Sequence, residues 1–273
     1  MNITFIGGGN MASAIIGGLL AKRGDANTLR IVDIQAEARE RIAGKYPGVG
    51  CFGEAREAIR DGDVIVLAVK PQHMRAALAG LCLKPDSHLV ISIAAGITTE
   101  TLVRWLGNYA RIIRAMPNTP ALVGAGGTGL YAAPGQVSAE DRLQAEAILG
   151  AVGTTLWVSD PGMMDAVTAV SGSGPAYVFY FMEALEEAAR GLGLPANTAR
   201  ELALQTFSGA AKLAASSAEP AATLRERVTS KGGTTEAALK VMAANRVKDS
   251  IVQAVNAANE RGREMGVELG RDA

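Results

Sequence analysis

The chain has few of the residues from which metal sites and catalytic triads are built. It contains 273 residues, of which two are histidine and two are cysteine. With only His73 and His88 available, a metal cluster or a Ser-His-Asp triad is hard to assemble, and we predict no metal site. Cys51 and Cys82 do not form a paired motif, so we predict no disulfide framework and a reducing compartment.

Excess charge and long apolar runs are also missing. The 27 Lys and Arg residues balance the 27 Asp and Glu residues, which gives no electrostatic case for binding nucleic acid or a membrane surface. No run of about 20 apolar residues occurs that could cross a membrane. The first apolar stretch is short, broken by glycines and without a basic leader, unlike a signal peptide. We therefore expect a soluble, cytoplasmic protein.

The first stretch of the chain has the pattern of a dinucleotide-binding turn. Residues 3–6 are apolar and strand-forming, Gly7, Gly8 and Gly9 follow, and residues 12–21 have apolar positions at helical spacing. Gly7 permits a tight turn, Gly9 lets a pyrophosphate approach the backbone, and Ala12 lets the helix pack closely on the strand. The start of a helix also favours an anion. The alternative is a tight turn without a ligand.

Strands alternate with helices in the first part of the chain. Apolar strand patterns at residues 28–33, 63–69, 89–95 and 111–116 are separated by helical segments. This alternation predicts a doubly wound parallel sheet, with a further strand near residue 130, a helix over 137–151 and a last strand at 154–158. No strand pattern follows residue 160. We expect an α/β fold, with a Rossmann-type dinucleotide-binding domain over 1–159 and an all-α domain over 160–273.

The helical part of the chain indicates self-association. Residues 176–185 are apolar nearly all round, which is typical of a buried helix. About 110 helical residues on one sheet domain would leave apolar faces uncovered, so we predict a homo-oligomer with two-fold symmetry. The alternative is a monomeric helical bundle.

An acid at the end of the second predicted strand bears on the choice of cofactor. Asp33 lies near the distance at which a carboxylate hydrogen-bonds the adenosine ribose. It would repel a 2′-phosphate and therefore favours NADH over NADPH. The alternative is an aspartate that caps the following helix.

Three loops follow strands at the carboxyl edge of the predicted sheet, where ligands of doubly wound folds bind. Lys70, before Pro71, would meet the cofactor or be an ordinary solvated lysine. Small residues at Ala94 and Ala95 leave room for a flat nicotinamide. Asn118 lies in a rigid turn between two prolines and is a candidate donor to a ligand. Ordinary loop chemistry is the alternative for each.

A second glycine turn opens a helix predicted over residues 236–244. It carries two hydroxyl residues, Lys231, two glycines and two further hydroxyl residues over 229–235. Backbone N–H groups, hydroxyls and the helix dipole together suit one carboxylate. Charge-assisted hydrogen bonds contribute roughly 1.5–3 kcal/mol each and the dipole roughly 0.3–1 kcal/mol, so donor geometry should matter more. The alternative is a capped helix after a glycine loop.

These stretches together resemble the pyrroline-5-carboxylate reductase family over essentially the whole chain. The match is carried by six stretches in the family's order, residues 5–11, 68–71, 92–96, 114–120, 171–177 and 228–235. The resemblance implies a cytoplasmic oxidoreductase that reduces the C=N bond of 1-pyrroline-5-carboxylate to L-proline with NADPH or NADH. It also implies a C-terminal helical domain that interlocks two subunits, with the cofactor site often opposite the partner's helices.

The resemblance also implies the residues of the site. We expect the substrate carboxylate in the turn formed by Ser230, Lys231, Gly232, Gly233, Thr234 and Thr235, with Thr235 near the imine nitrogen as the catalytic residue. We expect cofactor contacts at Gly7, Gly8, Gly9, Asn10, Met11, Asp33, Ala68, Val69, Lys70, Pro71, Ala94, Ala95 and Asn118.

Three positions depart from the family's habits, and rival functions remain. Family members often have proline where Lys231 stands and asparagine where Ala55 stands, and they commonly use NADPH, whereas Asp33 favours NADH. A β-hydroxyacid dehydrogenase would need a lysine early in the helix of Pro175, and none is there. A reductase of other cyclic imines is a closer rival, and a cofactor-sensing protein without turnover is a rival of another class.

Overall fold

The structure is a computed structural model that describes residues 1–84 and 87–271. The chain divides into two compact units. One comprises residues 1–173 and the end of the chain from residue 258, and the other comprises residues 174–257. The division into domains at residues 159 and 160 stays a prediction.

An eight-stranded sheet forms the centre of the first unit, in the order β3-β2-β1-β4-β5-β6-β7-β8. Its strands are β1 Ile3–Ile6, β2 Leu29–Val32, β3 Gly50–Phe52, β4 Val64–Leu67, β5 Leu89–Ser92, β6 Ile112–Met116, β7 Gly126–Tyr131 and β8 Gly153–Trp157. The first six strands are parallel, and their order is that of a dinucleotide-binding sheet. The expected Rossmann-type sheet is confirmed.

The last two strands run antiparallel to the other six, so the prediction of a wholly parallel sheet is wrong for β7 and β8. Strand β7 pairs antiparallel with β6, and β8 pairs parallel with β7. The connection from Met116 to Gly126 contains only a 3₁₀ turn, Thr119–Val123, and is too short for the crossover that a parallel strand needs. The chain therefore reverses direction at this point.

The helices of the first unit cover both faces of the sheet. They are α1 Asn10–Arg23, α2 Ala36–Lys45, α3 Ala55–Ala58, α4 Met74–Leu78, α5 Thr99–Trp105, α6 Ala139–Leu149 and α7 Met163–Val167, with a π-helical turn at Thr168–Gly172 and the part of the last helix, Val247–Gly270, that follows residue 257. Alternate residues of β1 point to opposite faces, so Phe5 packs in one apolar cluster and Ile6 in the other. Burial on both faces explains the continuous apolar runs of the strands.

Helix α6 is shorter than the predicted helix over 137–151, because its start is fixed by a cap. Ser138 Oγ accepts from Asp141 N at 3.1 Å, and the Asp141 carboxylate accepts from Ser138 N at 2.8 Å. This reciprocal capping box satisfies two backbone donors and sets the first helical residue at Ala139.

The second unit is helical, and its helices are α8 Gly174–Gly191, α9 Ala196–Ala215, α10 Ala221–Arg227 and α11 Thr234–Ala244, with the start of α12 Val247–Gly270. No strand occurs after Trp157 within the described part of the chain, as expected. None of the described helices combines the length and the apolar character that crossing a bilayer requires.

The prediction that residues 176–185 are buried is wrong for a single chain. Phe179 is 63% and Tyr180 73% exposed, and both lie on α8. Within residues 1–84 and 87–271, the same chain leaves most of the surface of these two side chains exposed. The apolar pattern of this helix therefore does not reflect burial inside one chain.

Candidate active site

The turn between β1 and α1 is shaped by glycine. Gly7 has a φ of +104°, and a Cβ built on it would lie 2.8 Å from the carbonyl oxygen of Ala68. Gly7 N donates to Val32 O at 2.7 Å, which fixes the turn against β2. Only glycine fits this position, because the turn closes directly over the end of β4.

The start of α1 has free space beside it. Gly9 is its N-cap and makes no side-chain cap hydrogen bond, and a Cβ built on Gly9 would meet no described atom within 4 Å. Asn10 and Met11 are the first two residues of the helix, so their N–H groups have no intrahelical partner. This arrangement suits a pyrophosphate, and its binding by these residues stays a prediction.

The Asp33 carboxylate links the glycine turn to the entry of α2. Oδ2 accepts from Gly8 N at 2.8 Å and Oδ1 from Gln35 N at 2.9 Å. Gln35, not Asp33, is the N-cap of α2, so the alternative of a helix-capping aspartate is not what the structure has. Two backbone donors hold the negative charge in a fixed place beside Gly8.

Three arginines near Asp33 in the sequence have different partners. Arg39 Nη1 donates to the backbone oxygen of Asp33 at 2.7 Å, and Arg41 donates to Gly8 O at 2.8 Å. Arg30 instead pairs with buried Asp63 at 3.0 Å. Arg39 and Arg41 thus lie close to Asp33 and the glycine turn, and each donates to a backbone oxygen there.

A cavity of about 550 Å³ opens beside Asp33. Its lining is largely apolar and includes Gly7, Val32, Asp33, Ala55, Val69 and Ala77. An apolar cleft with one fixed carboxylate at its edge fits the adenosine end of a dinucleotide. Lys70 is exposed directly before the 3₁₀ turn at Pro71–His73, and it is not among the described residues that line the cavity.

Asn118 is held by the protein itself rather than presented as a free donor. Its Oδ1 accepts from Gly127 N at 2.9 Å, and its Nδ2 donates to Ser171 Oγ at 3.1 Å. Ser171 lies in the π-helical turn, and its hydroxyl also approaches Gly127 O at 3.4 Å. The sequence did not reveal this partner, because the two residues are far apart in the chain. Ala94 is buried and Ala95 half-buried in the loop after β5, and their contact with a nicotinamide stays a prediction.

The same edge contains a buried ion pair. Arg114 of β6 is 3% exposed, and its guanidinium lies 3.5 Å from the Asp165 carboxylate of α7. Burial lowers the pKa of Arg114, and the neighbouring Asp165 partly offsets this. The pair joins β6 to the helix that leads into the π-helical turn.

The turn before α11 is a second place with unpaired backbone donors. Gly233 is the N-cap of α11 and has no side-chain cap, so the N–H groups of Thr234 and Thr235 have no intrahelical partner. The helix begins two residues before the predicted Glu236, which brings both threonines into its first turn. A Cβ on Gly233 would clash with Ser230 Oγ and lie 3.1 Å from Ser230 O, so a larger residue there would require the Ser230 side chain to move.

Two family models match the chain, one in each half. The family model described as NADP oxidoreductase coenzyme F420-dependent matches residues 2–96. The family model described as pyrroline-5-carboxylate reductase dimerisation matches residues 161–265 and indicates a homo-oligomer. The fold and the glycine turn, taken with these matches, define an oxidoreductase that uses a nicotinamide dinucleotide.

Individual relatives narrow this class. The chain is 49% identical to a pyrroline-5-carboxylate reductase of Pseudomonas aeruginosa, with 98% of each chain covered. It is 46% identical to that of Haemophilus influenzae, covering 96% of this chain and 97% of the relative. A solved pyrroline-5-carboxylate reductase from Coxiella burnetii matches with a TM-score of 0.89 and 42% identity, covering 97% and 98% of the two chains. The Plasmodium falciparum enzyme, solved with NADP bound, matches over the same shares with a TM-score of 0.85 and 30% identity. The chain belongs to the pyrroline-5-carboxylate reductase family.

Proposed function

We propose that this protein reduces 1-pyrroline-5-carboxylate to L-proline with NADPH or NADH, in the cytoplasm. The observation that carries the proposal is the uncapped start of α11, where Thr234 and Thr235 offer unpaired N–H groups in the stretch that resembles the family's substrate turn. A site of this kind suits a single carboxylate, and the substrate has one.

The substrate carboxylate is held by Thr234 and Thr235 N–H and by hydroxyl groups of the turn. Each charge-assisted hydrogen bond contributes roughly 1.5–3 kcal/mol, against roughly 0.3–1 kcal/mol from the helix dipole. The shape of the turn therefore decides affinity. Lys231 is exposed and adds attraction for the carboxylate, while it gives the turn less stiffness than a proline.

The cofactor is held along the carboxyl edge of the sheet. Residues 7–11 bind the pyrophosphate at the start of α1, and Asp33 accepts from the ribose hydroxyls. The nicotinamide end lies against small and rigid loops after the strands, which comprise Ala68, Val69, Lys70, Pro71, Ala94, Ala95 and Asn118. Asp33 favours NADH, in contrast to the family's habit of using NADPH.

When bound, the reduced nicotinamide supplies a hydride to the imine carbon. A protonated imine is already electrophilic and becomes neutral on reduction, so no strong acid is needed. The imidazole of His88 is not used as an acid here, because both of its ring nitrogens already have partners within the protein. Nδ1 accepts from Lys84 N at 3.1 Å, and Nε2 lies 3.2 Å from Arg60 O. Thr235 hydrogen-bonds the imine nitrogen or relays a proton through water. Positioning therefore supplies most of the catalysis.

The homo-oligomer is built from two-fold dimers. The exposed apolar side chains of α8, including Phe179 and Tyr180, are covered by a partner in this arrangement. The match to the dimerisation model spans this helix and supports the assignment.

An absorbance assay of NADH and NADPH oxidation tests the proposed activity. With 1-pyrroline-5-carboxylate we expect substrate-dependent oxidation of the cofactor. The same assay with 1-pyrroline, which lacks the carboxylate, should give a much higher KM, because the α11 turn then has no anion to hold. Cofactor binding without oxidation would identify a sensor, and equal kcat/KM for the two imines would identify a reductase of another cyclic imine.

A further inference from the structure

The carboxylate of Glu236 reaches back into the turn before its own helix. Its Oε2 accepts from Gly232 N at 2.7 Å, and its Oε1 lies 3.4 Å from Lys240 Nζ one helical turn later. In a capping box the third helical residue would bond to the N-cap N–H. Here the N-cap is Gly233, and Glu236 bonds to the residue before it.

The N-cap itself is engaged elsewhere in the turn. Gly233 N donates to Ser230 O at 3.0 Å, which closes a β-turn over residues 230–233. Gly232 has a φ of +74°, the value expected at the third position of a type II turn. Lys231 therefore occupies the second position, where proline is common because it presets φ.

Two internal bonds thus fix which donors stay available. Gly232 N–H goes to Glu236 and Gly233 N–H goes to Ser230, which leaves the N–H groups of Thr234 and Thr235 for a ligand. Without the Glu236 bond, Gly232 is flexible and follows a lysine that imposes no φ, so the turn would sample other shapes.

We propose that Glu236 is a positioning residue for the substrate carboxylate, because its bond to Gly232 N–H holds the type II turn that keeps the Thr234 and Thr235 donors in place. The inference rests on the proposed function. The role requires a hydrogen-bond acceptor on residue 236 and not a negative charge, because the Gly232 N–H needs only an acceptor. Lys240, 3.4 Å from Glu236, partly offsets the repulsion between the Glu236 carboxylate and a bound anion.

Three variants separate this role from a general effect on the fold. Glu236→Ala removes the acceptor, Glu236→Gln keeps an acceptor without the charge, and Lys231→Pro added to Glu236→Ala stiffens the turn by another route. Glu201→Ala is the matched control, because Glu201 makes a similar exposed hydrogen bond to Gln205 at 3.0 Å on α9.

Steady-state kinetics with 1-pyrroline-5-carboxylate is the first measurement. We expect Glu236→Ala to raise the substrate KM about five- to tenfold, with kcat and the cofactor KM within about twofold of wild type. Glu236→Gln and Glu201→Ala should stay near the wild-type KM. The double variant Lys231→Pro with Glu236→Ala should have nearly the KM of Lys231→Pro alone, a comparison that cancels the attraction lost with Lys231. An unchanged KM in Glu236→Ala, an equal loss in Glu236→Gln, or a KM of the double variant far above that of Lys231→Pro alone would overturn the proposal.

Hydrogen exchange followed by mass spectrometry tests the turn without any substrate. The peptide covering residues 228–240 should exchange faster in Glu236→Ala than in wild type, and Glu236→Gln should resemble wild type. Equal exchange in all three proteins would overturn the positioning role. Wild-type protein that does not reduce the imine would instead contradict the proposed function, while the exchange result still decides the role of Glu236 in the turn.

Discussion

The Asp33 carboxylate has a structural role and, in the proposed function, a second role in recognising the cofactor. Its two oxygens accept from Gly8 N and Gln35 N, which holds the charge beside the glycine turn. A 2′-phosphate placed next to that charge is repelled, whereas ribose hydroxyls are not. The two arginines nearby, Arg39 and Arg41, donate to the backbone oxygens of Asp33 and Gly8 and not to the Asp33 carboxylate.

Replacing Asp33 should therefore change cofactor preference. We expect Asp33→Ser to shift the ratio of kcat/KM for NADH to that for NADPH by about tenfold towards NADPH. The ratio cancels any loss of turn stability, because both cofactors share it. Glu37→Ser, at an exposed position in the first turn of α2, should leave the ratio unchanged. A strong NADPH preference in wild type that persists in Asp33→Ser would contradict this account of Asp33.

Thr235 has two chemical groups at the start of α11, and variants distinguish them. Its N–H stays in any substitution except proline, whereas its hydroxyl is lost in Thr235→Ala. We expect Thr235→Ala to lower kcat/KM about tenfold or more and Thr235→Ser to retain most of it, because a hydroxyl near the imine nitrogen stabilises the transition state. Thr206→Ala, which removes a hydroxyl bonded to Leu202 O on α9, is the control. Unchanged kcat/KM in Thr235→Ala would exclude the hydroxyl from the reaction.

At the level of single elements, helix α6 is anchored by a cluster of charges. Arg111 Nη2 donates to the Asp141 carboxylate at 2.7 Å, and Ser138 N donates to it at 2.8 Å. Burial acts to raise the pKa of Asp141, but these hydrogen bonds outweigh it and hold the pKa below its ordinary value. A carboxyl with a lowered pKa stabilises the fold above its unfolded pKa of about 3.9 and loses this effect as the pH falls through the folded value.

Asp141→Asn should consequently destabilise the protein in a pH-dependent way. We expect the variant to lose about 1–3 kcal/mol of unfolding free energy at pH 7, and the difference from wild type to shrink near pH 3. Urea unfolding at fixed protein concentration measures the unfolding free energy of both proteins at each pH. Asp61→Asn, which removes an exposed ion pair with Lys84, should have little effect at either pH. A difference that does not depend on pH would contradict the role of the charge.

Local signals explain which elements were predictable. The glycine turn before α1 was predictable because strand, glycines and helix follow one another directly. The reversal at β7 was not, because a run of small residues after Pro120 gives no sign of strand direction. The start of α11 was placed at Glu236 because two threonines resemble a loop, whereas the structure brings them into the helix. The bonds of Asn118 to Ser171 and of Glu236 to Gly232 depend on folded geometry, and no sequence pattern marks them.

For the whole molecule, the exposed apolar surface of α8 is the main feature that a single chain does not account for. Phe179 and Tyr180 lie on an 18-residue helix with no buried residue. The apolar pattern of residues 176–185 alone did not show what would cover the helix, whereas the number of helical residues beside one sheet domain predicted the homo-oligomer that the dimerisation model supports. Exposed apolar surface of this kind is costly in water, which supports the proposed burial of α8 against a partner.

A charge placed on that surface should weaken self-association. We expect Phe179→Glu to shift the protein towards monomer in sedimentation velocity experiments, because burying a carboxylate in an apolar interface is costly. Leu143→Glu, at an exposed position of α6, serves as the control and should leave the sedimentation coefficient unchanged. Identical association states for wild type and Phe179→Glu would remove α8 from the interface.

The claim on which the proposed reaction depends is that the substrate carboxylate binds where α11 begins. A crystal structure of the protein with L-proline and the oxidised dinucleotide tests it most directly. The account predicts the proline carboxylate within hydrogen-bond distance, about 3 Å, of the N–H groups of Thr234 and Thr235. A proline molecule bound away from residues 230–235, with that turn in contact with solvent only, would contradict it.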